Sequence, residues 1–316
     1  MRTVEGQLPP RSVIALVSDA TAPSRVDAAG FCLGAEQPKT EHVAGTLCFL
    51  LRGGPLVRIA TTMVHEVAQV GFDREAETYE RSRPTYPPDA VSWLVGRLHL
   101  RRGRTVTDVA AGTGKLTRLL LSTGATVVAV EPVEGMREVF RRVVPAVPVV
   151  AATAEAMPFR ASSMDAATVG QAFHWFDAEA AFAELARVLR PGGGVAMVWN
   201  ARDRSIEWVD RAWAVMDRVE KKAPWRDHDS VFDTLPAGRS GFEPFDTATF
   251  RHEQIVTPEE LVDRFRGVSH VAALPPEDQA AILSEVRELL ATHPDTRGRH
   301  QLRLPYRVDC YWSERR

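Results

Sequence analysis

The segment that most constrains the fold is a short apolar stretch that runs directly into a glycine-rich turn. Residues 106–116 read Val-Thr-Asp-Val-Ala-Ala-Gly-Thr-Gly-Lys-Leu, so β-branched residues precede Gly112 and Gly114. Such residues favour a strand, glycine permits a tight turn, and helical character follows the turn. In open α/β sheets, ligands bind at the carboxyl ends of strands, close to the free N–H groups of the next helix. The segment therefore predicts a ligand site.

Strands and helices alternate along the chain on both sides of this turn. A helix capped by Asp89 is predicted to reach Leu100, and a helix capped by Asp177 is predicted to reach Leu189. The remaining predictions are strands over 105–109, 126–130, 147–151, 166–170 and 195–199, and helices over 116–122 and 134–144. Residues 190–194 are expected to break the chain sharply before the fifth strand. This alternation predicts a parallel sheet that is covered by helices.

The pattern changes beyond Asn200. Helices are predicted over 205–222, from Thr257 to Gly267 with a capping box, and over 276–291, and a late strand is predicted over 301–312. We interpret residues 201–316 as the end of the sheet plus a helical lid over the substrate, and residues 63–200 as the ligand-binding core.

Residues 1–62 differ from both of these regions. They mix Pro, Gly, Ser and isolated apolar residues without sustained periodicity. The first interpretation is a disordered leader, or a start site assigned upstream of the true one at Met63. The second is a small N-terminal appendage with its own role.

Composition excludes several classes of protein. The net charge is −2, which gives no general attraction to nucleic acid or to an anionic membrane. The longest apolar runs fall short of the ~20 residues that a membrane span requires. The three cysteines and nine histidines lack metal-ligand spacing, so no metal is expected. We expect a cytoplasmic protein, a monomer or a homodimer, whose partner is a small molecule.

The residues around the glycine turn restrict the chemical class of the ligand. Asp108, at the end of the first core strand, would repel a pyrophosphate but would suit an ammonium group. The dinucleotide pattern also requires a third glycine where this chain has Thr117. Both observations argue against a nicotinamide-dependent oxidoreductase, which stays as an alternative.

Asp108, Ala110, Gly112 and Gly114 resemble the acidic-x-Gly-x-Gly-x-Gly motif of the class I methyltransferases, with Ala110 in place of the first glycine. The resemblance implies a Rossmann-like, seven-stranded, mostly parallel sheet with helices on both faces, and S-adenosyl-L-methionine as cofactor. Because alanine adopts negative φ readily, the extra methyl group is expected to reduce clearance rather than abolish binding.

Four further segments extend the resemblance over residues 72–200. They are Val128–Pro132, residues 152–159, residues 171–177 and the Leu-Arg-Pro-Gly-Gly turn at 189–193. By the resemblance, Glu131 would bind the ribose hydroxyls and Pro132 would follow it. Thr153, Ala154 and Glu155 would lie beside the adenine, and Gln171 would lie near the reacting methyl group.

A finer resemblance concerns the methyltransferase type 11 group, which includes trans-aconitate methyltransferase-like proteins. It is carried by Phe72-Asp73, by Tyr79, by Arg83-Pro84-Thr85-Tyr86-Pro87 and by the aromatic segment 173–176. It implies that Tyr79 and Arg83 fold over the cofactor, with Arg83 facing its carboxylate.

These observations predict a methyltransferase that acts on a small molecule, at oxygen. His174 is the candidate general base for a phenol or an alcohol, while a carboxylate acceptor needs none. The lid offers polar candidates for an acidic substrate, namely Arg264, Arg266, Arg303 and Tyr306. Trp199 and Asn200 are candidates for substrate contact at the rim of the pocket. The alternative from another class is a non-catalytic protein that binds the cofactor or a metabolite.

Overall fold

The structure is a computed structural model. It describes residues 39–43, 46–50, 57–59, 76–77, 79–220, 241–268, 271 and 274–316, and for the first three ranges and 219–220 it describes the backbone alone. The first three ranges are strands β1 (Lys39–Val43), β2 (Thr46–Leu50) and β3 (Val57–Ile59), which pair antiparallel in that order. The rest of residues 1–62 lies outside the described residues, and the interpretation of this region as a leader stays a prediction.

A seven-stranded sheet forms the centre of the remaining chain. Its strands are β4 (Thr105–Val109), β5 (Thr126–Val130), β6 (Val149–Val150), β7 (Met164–Gly170), β8 (Leu189–Arg202), β9 (Asp246–Val256) and β10 (Leu302–Glu314). Their order is β6-β5-β4-β7-β8-β10-β9. The first five strands in this order are parallel to one another, whereas β10 is antiparallel to both β8 and β9. The predicted Rossmann-like, mostly parallel sheet is confirmed.

Helices cover both faces of the sheet. They are α1 (Pro88–Arg97), α2 (Lys115–Leu120), α3 (Glu134–Val143), α4 (Ala178–Val188), α5 (Glu207–Glu220), α6 (Pro258–Arg266) and α7 (Pro276–Thr292). Along β5, Val127 faces one hydrophobic cluster, which includes residues of α1, α2 and α3, and Val128 faces a second, which includes residues of α4. This alternation is the period of a strand that is buried on both sides.

Helices α5, α6 and α7 are the helices of the predicted lid. Trp213 of α5 packs on Phe265 of α6 with ring centroids 4.7 Å apart, and both belong to the same cluster as α1 and α2. The predicted capping box at the start of α6 is confirmed, because Thr257 accepts from the Glu260 N–H and Glu260 accepts from the Thr257 N–H. No described helix is long and apolar enough to cross a bilayer.

Of two local predictions, one was wrong and one holds in part. Helix α1 begins at Pro88 rather than after an Asp89 cap, because proline is favoured at the first helical position and Asp89 lies in the first turn. Residues 190–194 belong to β8, which runs from Leu189, but they interrupt its pairing with β7, since Leu189 pairs with Met164 and the next pair is Gly194 with Ala166. The C-terminus holds this glycine-rich stretch in the sheet, since Gly192 N–H donates to Arg315 O at 2.9 Å and Arg315 N–H donates to Gly193 O at 2.7 Å.

The strand β9 was not predicted, although its burial alternates along its whole length. It lies at the edge of the sheet, and its partner β10 joins it to β8. Residues 201–316 therefore contribute two strands, β9 and β10, to the same sheet as β4 to β8.

Candidate active site

The candidate site is a cleft at the carboxyl ends of β4 and β7, where the order of the parallel strands reverses. Open α/β sheets bind ligands at such a point. The cleft is partly open to solvent, and charged, polar and apolar side chains line it together. It is lined by Tyr79, Arg83, Pro84, Tyr86, Asp108, Ala110, Ala111, Gly112, Thr113, Lys115, Leu116, Gly170, Gln171, Asn200 and Arg264.

The glycine turn forms the floor of the cleft. Gly112 has φ +58° and an added Cβ there would meet open space, whereas Gly114 has φ +87° and an added Cβ would lie 2.7 Å from Val144 and 2.9 Å from Phe140. Gly112 therefore lies against the space for a ligand. Gly114 allows α2 to start close to α3, although it does not line the cleft.

The expectation for Ala110 was wrong. Its φ is +53°, in the left-handed region, rather than negative. An L-residue with a Cβ is strained there by roughly 1–2 kcal/mol. The departure from glycine therefore costs stability in the backbone as well as clearance in the cleft.

Asp108 is a buried carboxylate at the edge of the cleft. Thr117 Oγ1 donates to its Oδ2 at 2.5 Å, and Thr168 Oγ1 donates to its Oδ1 at 2.8 Å. Burial raises the pKa of Asp108 to about 6, although both hydroxyl donors oppose this shift. Thr117, which replaces the third glycine of a dinucleotide loop, therefore holds the acid in place.

Glu131 lies directly behind the glycine turn. Gly112 N–H donates to Oε2 at 2.8 Å and Val133 N–H donates to Oε1 at 2.9 Å, while Arg137 donates to the Glu131 carbonyl at 2.7 Å. Burial raises the pKa of this carboxyl group to about 7. A carboxylate has about four lone-pair sites, so each oxygen retains capacity for one more donor. Pro132 follows it, half-buried, and neither residue lines the cleft.

The third predicted segment, after β6, also lies outside the cleft lining. Thr153 and Ala154 are buried, and Thr153 Oγ1 makes no hydrogen bond with any described residue. A buried hydroxyl without a partner is costly unless a ligand satisfies it. Glu155 instead accepts from the Asp177 N–H at 3.0 Å, ahead of α4.

At the end of β7, Gln171 has φ +58°, and its side-chain oxygen accepts from the Asn200 N–H. Asn200 Nδ2 donates to the Thr85 carbonyl at 3.1 Å, and its Oδ1 has no described partner. The two non-glycine residues with positive φ that line the cleft are thus Ala110 and Gln171, at the ends of β4 and β7. Backbone strain of this kind is concentrated at functional sites.

The segment before α1 covers the cleft. The Arg83 guanidinium lies 5.2 Å from the ring centre of Tyr79, and both residues line the cleft. Glu80, which the sequence analysis missed, fastens this segment to the glycine turn. It accepts from Thr113 Oγ1 at 2.5 Å and from Arg118 at 2.9 Å.

Lys115 and Tyr86 line the cleft and were also missed as site residues. Lys115 donates to the Glu80 carbonyl at 2.6 Å, and burial lowers its pKa. Tyr86 is buried against Gly170, where an added Cβ would lie 2.6 Å from the tyrosine hydroxyl oxygen. Only the Arg-Pro-Thr-Tyr-Pro motif pointed to Tyr86, and no local signal pointed to Glu80.

His174 lies in a short 3₁₀ turn after β7, among aromatic residues rather than in the cleft lining. Its ring centre is 5.1 Å from that of Trp199 and 4.6 Å from that of Trp175. Phe173 is buried in the core against Phe182. The role of His174 as a general base stays a prediction.

The structure separates the four polar candidates of the lid. Arg264 lines the cleft and is 3% exposed. Tyr306 is buried next to it and donates to Gln254 Oε1 at 3.2 Å. Arg266 and Arg303 do not line the cleft, and they pair with Asp263 and Glu253 on the surface.

Comparisons with known proteins agree with this geometry. The family described as "Methyltransferase domain" matches residues 107–197, which span β4 to β8. An uncharacterized methyltransferase of Mycobacterium tuberculosis is 39% identical over 76% of this chain and 94% of its own length. A methyltransferase-like protein of Schizosaccharomyces pombe is 29% identical over 80% of this chain and 98% of its own length.

Solved structures show the same fold. A type II methyltransferase structure from Anaeromyxobacter dehalogenans is 27% identical, with a TM-score of 0.53 over 74% of this chain and 97% of that one. Phosphoethanolamine N-methyltransferase 2 of Haemonchus contortus, solved with S-adenosyl-L-methionine, has a TM-score of 0.50 at 14% identity, over 82% of this chain and 63% of that one. The family match and the relatives in sequence favour a methyltransferase over the oxidoreductase alternative. The chain belongs to the methyltransferase family, of the class I, Rossmann-like type.

Proposed function

We propose that this enzyme transfers a methyl group from S-adenosyl-L-methionine to an oxygen atom of a small-molecule acceptor. The observation that carries the proposal is the presence of Asp108 and Arg83 in one cleft at the switch point of the sheet. A carboxylate and a guanidinium in the same cleft complement the ammonium and carboxylate groups of the methionine moiety.

The nucleoside moiety also finds suitable groups. Glu131 has unused acceptor capacity behind Gly112, as a ribose requires, and Thr153 has a buried hydroxyl without a described partner. Gly112 leaves open space where a side chain would stand. The residues present therefore fit the cofactor that the resemblance implies.

When bound, S-adenosyl-L-methionine supplies an electrophilic methyl group on a positively charged sulfur, and transfer to oxygen forms a C–O bond, breaks a C–S bond and leaves S-adenosylhomocysteine. The protein's own contribution is to bind and align the two reactants. Holding them in near-attack geometry can supply roughly 7–11 kcal/mol of the barrier. Tyr79 and Arg83 line the cleft, where they would contact the bound cofactor.

The acceptor atom is the finer part of the proposal. A carboxylate oxygen carries no proton, so its methylation needs no base, whereas a hydroxyl group requires one. The described residues that line the cleft include no histidine, and its Asp108 and Lys115 already hydrogen-bond Thr117, Thr168 and Glu80, so a carboxylate is the acceptor that they serve best. A malonyl-[acyl-carrier protein] O-methyltransferase of Pseudescherichia vulneris is 30% identical over 55% of this chain and 69% of its own length, which is consistent with an oxygen acceptor.

Calorimetric titration of the full-length protein tests the proposal. We expect S-adenosyl-L-methionine and S-adenosylhomocysteine to bind with dissociation constants in the micromolar range, roughly −8 kcal/mol. NADH is the matched control, because it shares the adenosine but carries a pyrophosphate that Asp108 would repel. Binding of NADH with no binding of S-adenosyl-L-methionine would refute the proposed function.

A further inference from the structure

Arg264 is a buried cation for which the described part of the fold provides no counter-ion. It is 3% exposed, it lines the cleft, and it forms no ion pair with another described residue. Burial lowers its pKa most, the phenol of Tyr306 opposes this shift, and the neighbouring cations Arg83 and Arg202 add to it. Burying an unpaired charge is costly, so such a group is expected to pair with an anion when the protein binds its ligands.

The hydrogen bonds of Arg264 are also incomplete. Its Nη1 donates to the Ser82 carbonyl and to Gln254 Oε1, both at 3.4 Å, and its Nε has no described partner. Both distances exceed the usual range for such bonds. The Tyr306 ring supports the guanidinium at 5.2 Å from its centre, so the planar group is held in position. A held guanidinium with unused N–H donors is suited to bidentate binding of a carboxylate.

The methyl donor cannot neutralise this charge. S-adenosyl-L-methionine has one carboxylate but two positive groups, the ammonium and the sulfonium, so its binding makes the cleft more positive. Its single carboxylate can pair with one guanidinium, and Arg83 lies in the segment that covers the cleft. The second guanidinium, Arg264, then still requires an anion.

We propose that Arg264 is the residue that binds and selects an organic acid as the methyl acceptor. This inference rests on the proposed function and deepens it, because it assigns the substrate class to a residue of the lid. Asn200 Oδ1 is an unpartnered acceptor in the same cleft, so a hydroxyl or amine group on the acid would also find a partner. Burial lowers the pKa of Arg264 to about 9, which fits a cation that lacks a counter-ion.

Calorimetry on the full-length protein, saturated with S-adenosylhomocysteine, tests the inference. The probes are succinate, citrate and benzoate, and their uncharged methyl esters are the controls. We expect at least one acid to bind the wild type about tenfold more tightly than its ester, since a charge-assisted pair is lost in the ester.

Three arginine variants separate the roles. Arg264→Gln should weaken binding of the acid about tenfold or more and change the affinity for S-adenosylhomocysteine less than about threefold. Arg83→Gln should show the opposite pattern. Arg266→Gln is the matched control, because Arg266 lies on the same helix but is paired with Asp263 on the surface, and it should change neither affinity.

Stability provides a second readout that a merely structural arginine would not give. Because Arg264→Gln removes an uncompensated buried charge, the ligand-free variant should melt no lower than the wild type. Arg264→Lys keeps the positive charge but loses the planar guanidinium with its parallel N–H donors. It should therefore retain part of the affinity for the acid.

The inference is overturned if no acid binds the wild type in preference to its ester, or if Arg264→Gln leaves binding of the acid unchanged. It is also overturned if Arg264→Gln weakens binding of S-adenosylhomocysteine as much as Arg83→Gln does. Failure of the wild type to bind S-adenosylhomocysteine at all would overturn the proposed function as well, so the two failures are distinguishable.

Discussion

The parallel and antiparallel halves of the central sheet contribute to the cleft in different ways. In the parallel half, the ends of β4 and β5 place Asp108 and Glu131, and Glu131 accepts from Gly112 only 19 positions away. In the antiparallel half, Arg264 reaches the carbonyl of Ser82 across 182 positions. In the first half, the site residues are held next to the glycine turn by hydrogen bonds to backbone N–H groups and threonine hydroxyls. In the second half, the site residue is a long side chain of helix α6. Tightly placed backbone suits an invariant cofactor, and side chains that can be exchanged suit a variable acceptor.

The largest expected effect concerns the two glycines of the turn. Gly114→Ala places a methyl group within 3 Å of buried Val144 and Phe140 at φ +87°, so it should lower the free energy of unfolding by about 3 kcal/mol or more. Gly112→Ala meets open space, so it should cost only about 1–2 kcal/mol of stability from strain. Because its methyl group would enter the space for the ligand, it should nevertheless abolish cofactor binding.

Urea denaturation and calorimetry of both variants check this difference. Equal losses of stability would contradict the distinction between a glycine that packs α2 on α3 and a glycine that admits a ligand. Retained cofactor binding in a folded Gly112→Ala protein would show that the turn does not contact the ligand.

The next effect is the pH dependence of cofactor binding, which should depend only on titrating residues of the parallel half. Burial raises the pKa of Asp108 to about 6 and that of Glu131 to about 7. Between about pH 4 and about pH 7, the folded protein therefore retains protons that the unfolded chain has already lost. These two groups therefore lower the free energy of unfolding as pH rises through that range. Cofactor binding should change in the opposite direction, because an ammonium group and ribose hydroxyls require the ionised carboxylates.

We expect the affinity for S-adenosyl-L-methionine to rise about tenfold between about pH 5 and about pH 8, as calorimetry would record. Asp108→Asn should bind about as tightly as the wild type near pH 5 and more weakly near pH 8, so its rise should be smaller, since one of the two titrating groups is gone. A rise of the same size in this variant would remove Asp108 from the cofactor site. Arg264→Gln should keep the wild-type rise, which separates the two halves.

The same division explains how much the sequence could predict. In the parallel half, strands β4 and β5 match their predicted bounds, and helix α4 has its predicted Asp177 cap, because local propensity and burial agree there. The edge strand β9 was missed, although Ala248, Phe250 and His252 alternate with exposed residues. The turn signal of the glycines in β8 corresponds to an interruption of the pairing with β7 between Leu189 and Gly194, and regular pairing with β10 begins at Gly194.

Site residues follow a similar rule. Candidates at strand ends, such as Asp108 and Gln171, could be named from their position next to a strand. Glu80 could not, because its partners Thr113 and Arg118 are 33 and 38 positions away. Among the lid cations, only tertiary packing distinguishes buried Arg264 from exposed Arg266. The left-handed φ of Ala110 was also hidden, because alanine gives no signal for it.

The smallest expected effect tests this strain at Ala110. Ala110→Gly should relieve about 1–2 kcal/mol in the folded state, against about 0.4–1 kcal/mol of added entropy in the unfolded chain. The variant should therefore be slightly more stable, by roughly 0.5–1 kcal/mol. Ala111→Gly is the matched control, because Ala111 lines the same cleft without a positive φ and should lose about 0.4–1 kcal/mol. Opposite signs in urea denaturation would show that this turn carries strain, whereas equal losses would show that Ala110 is relaxed and that its methyl group affects only clearance.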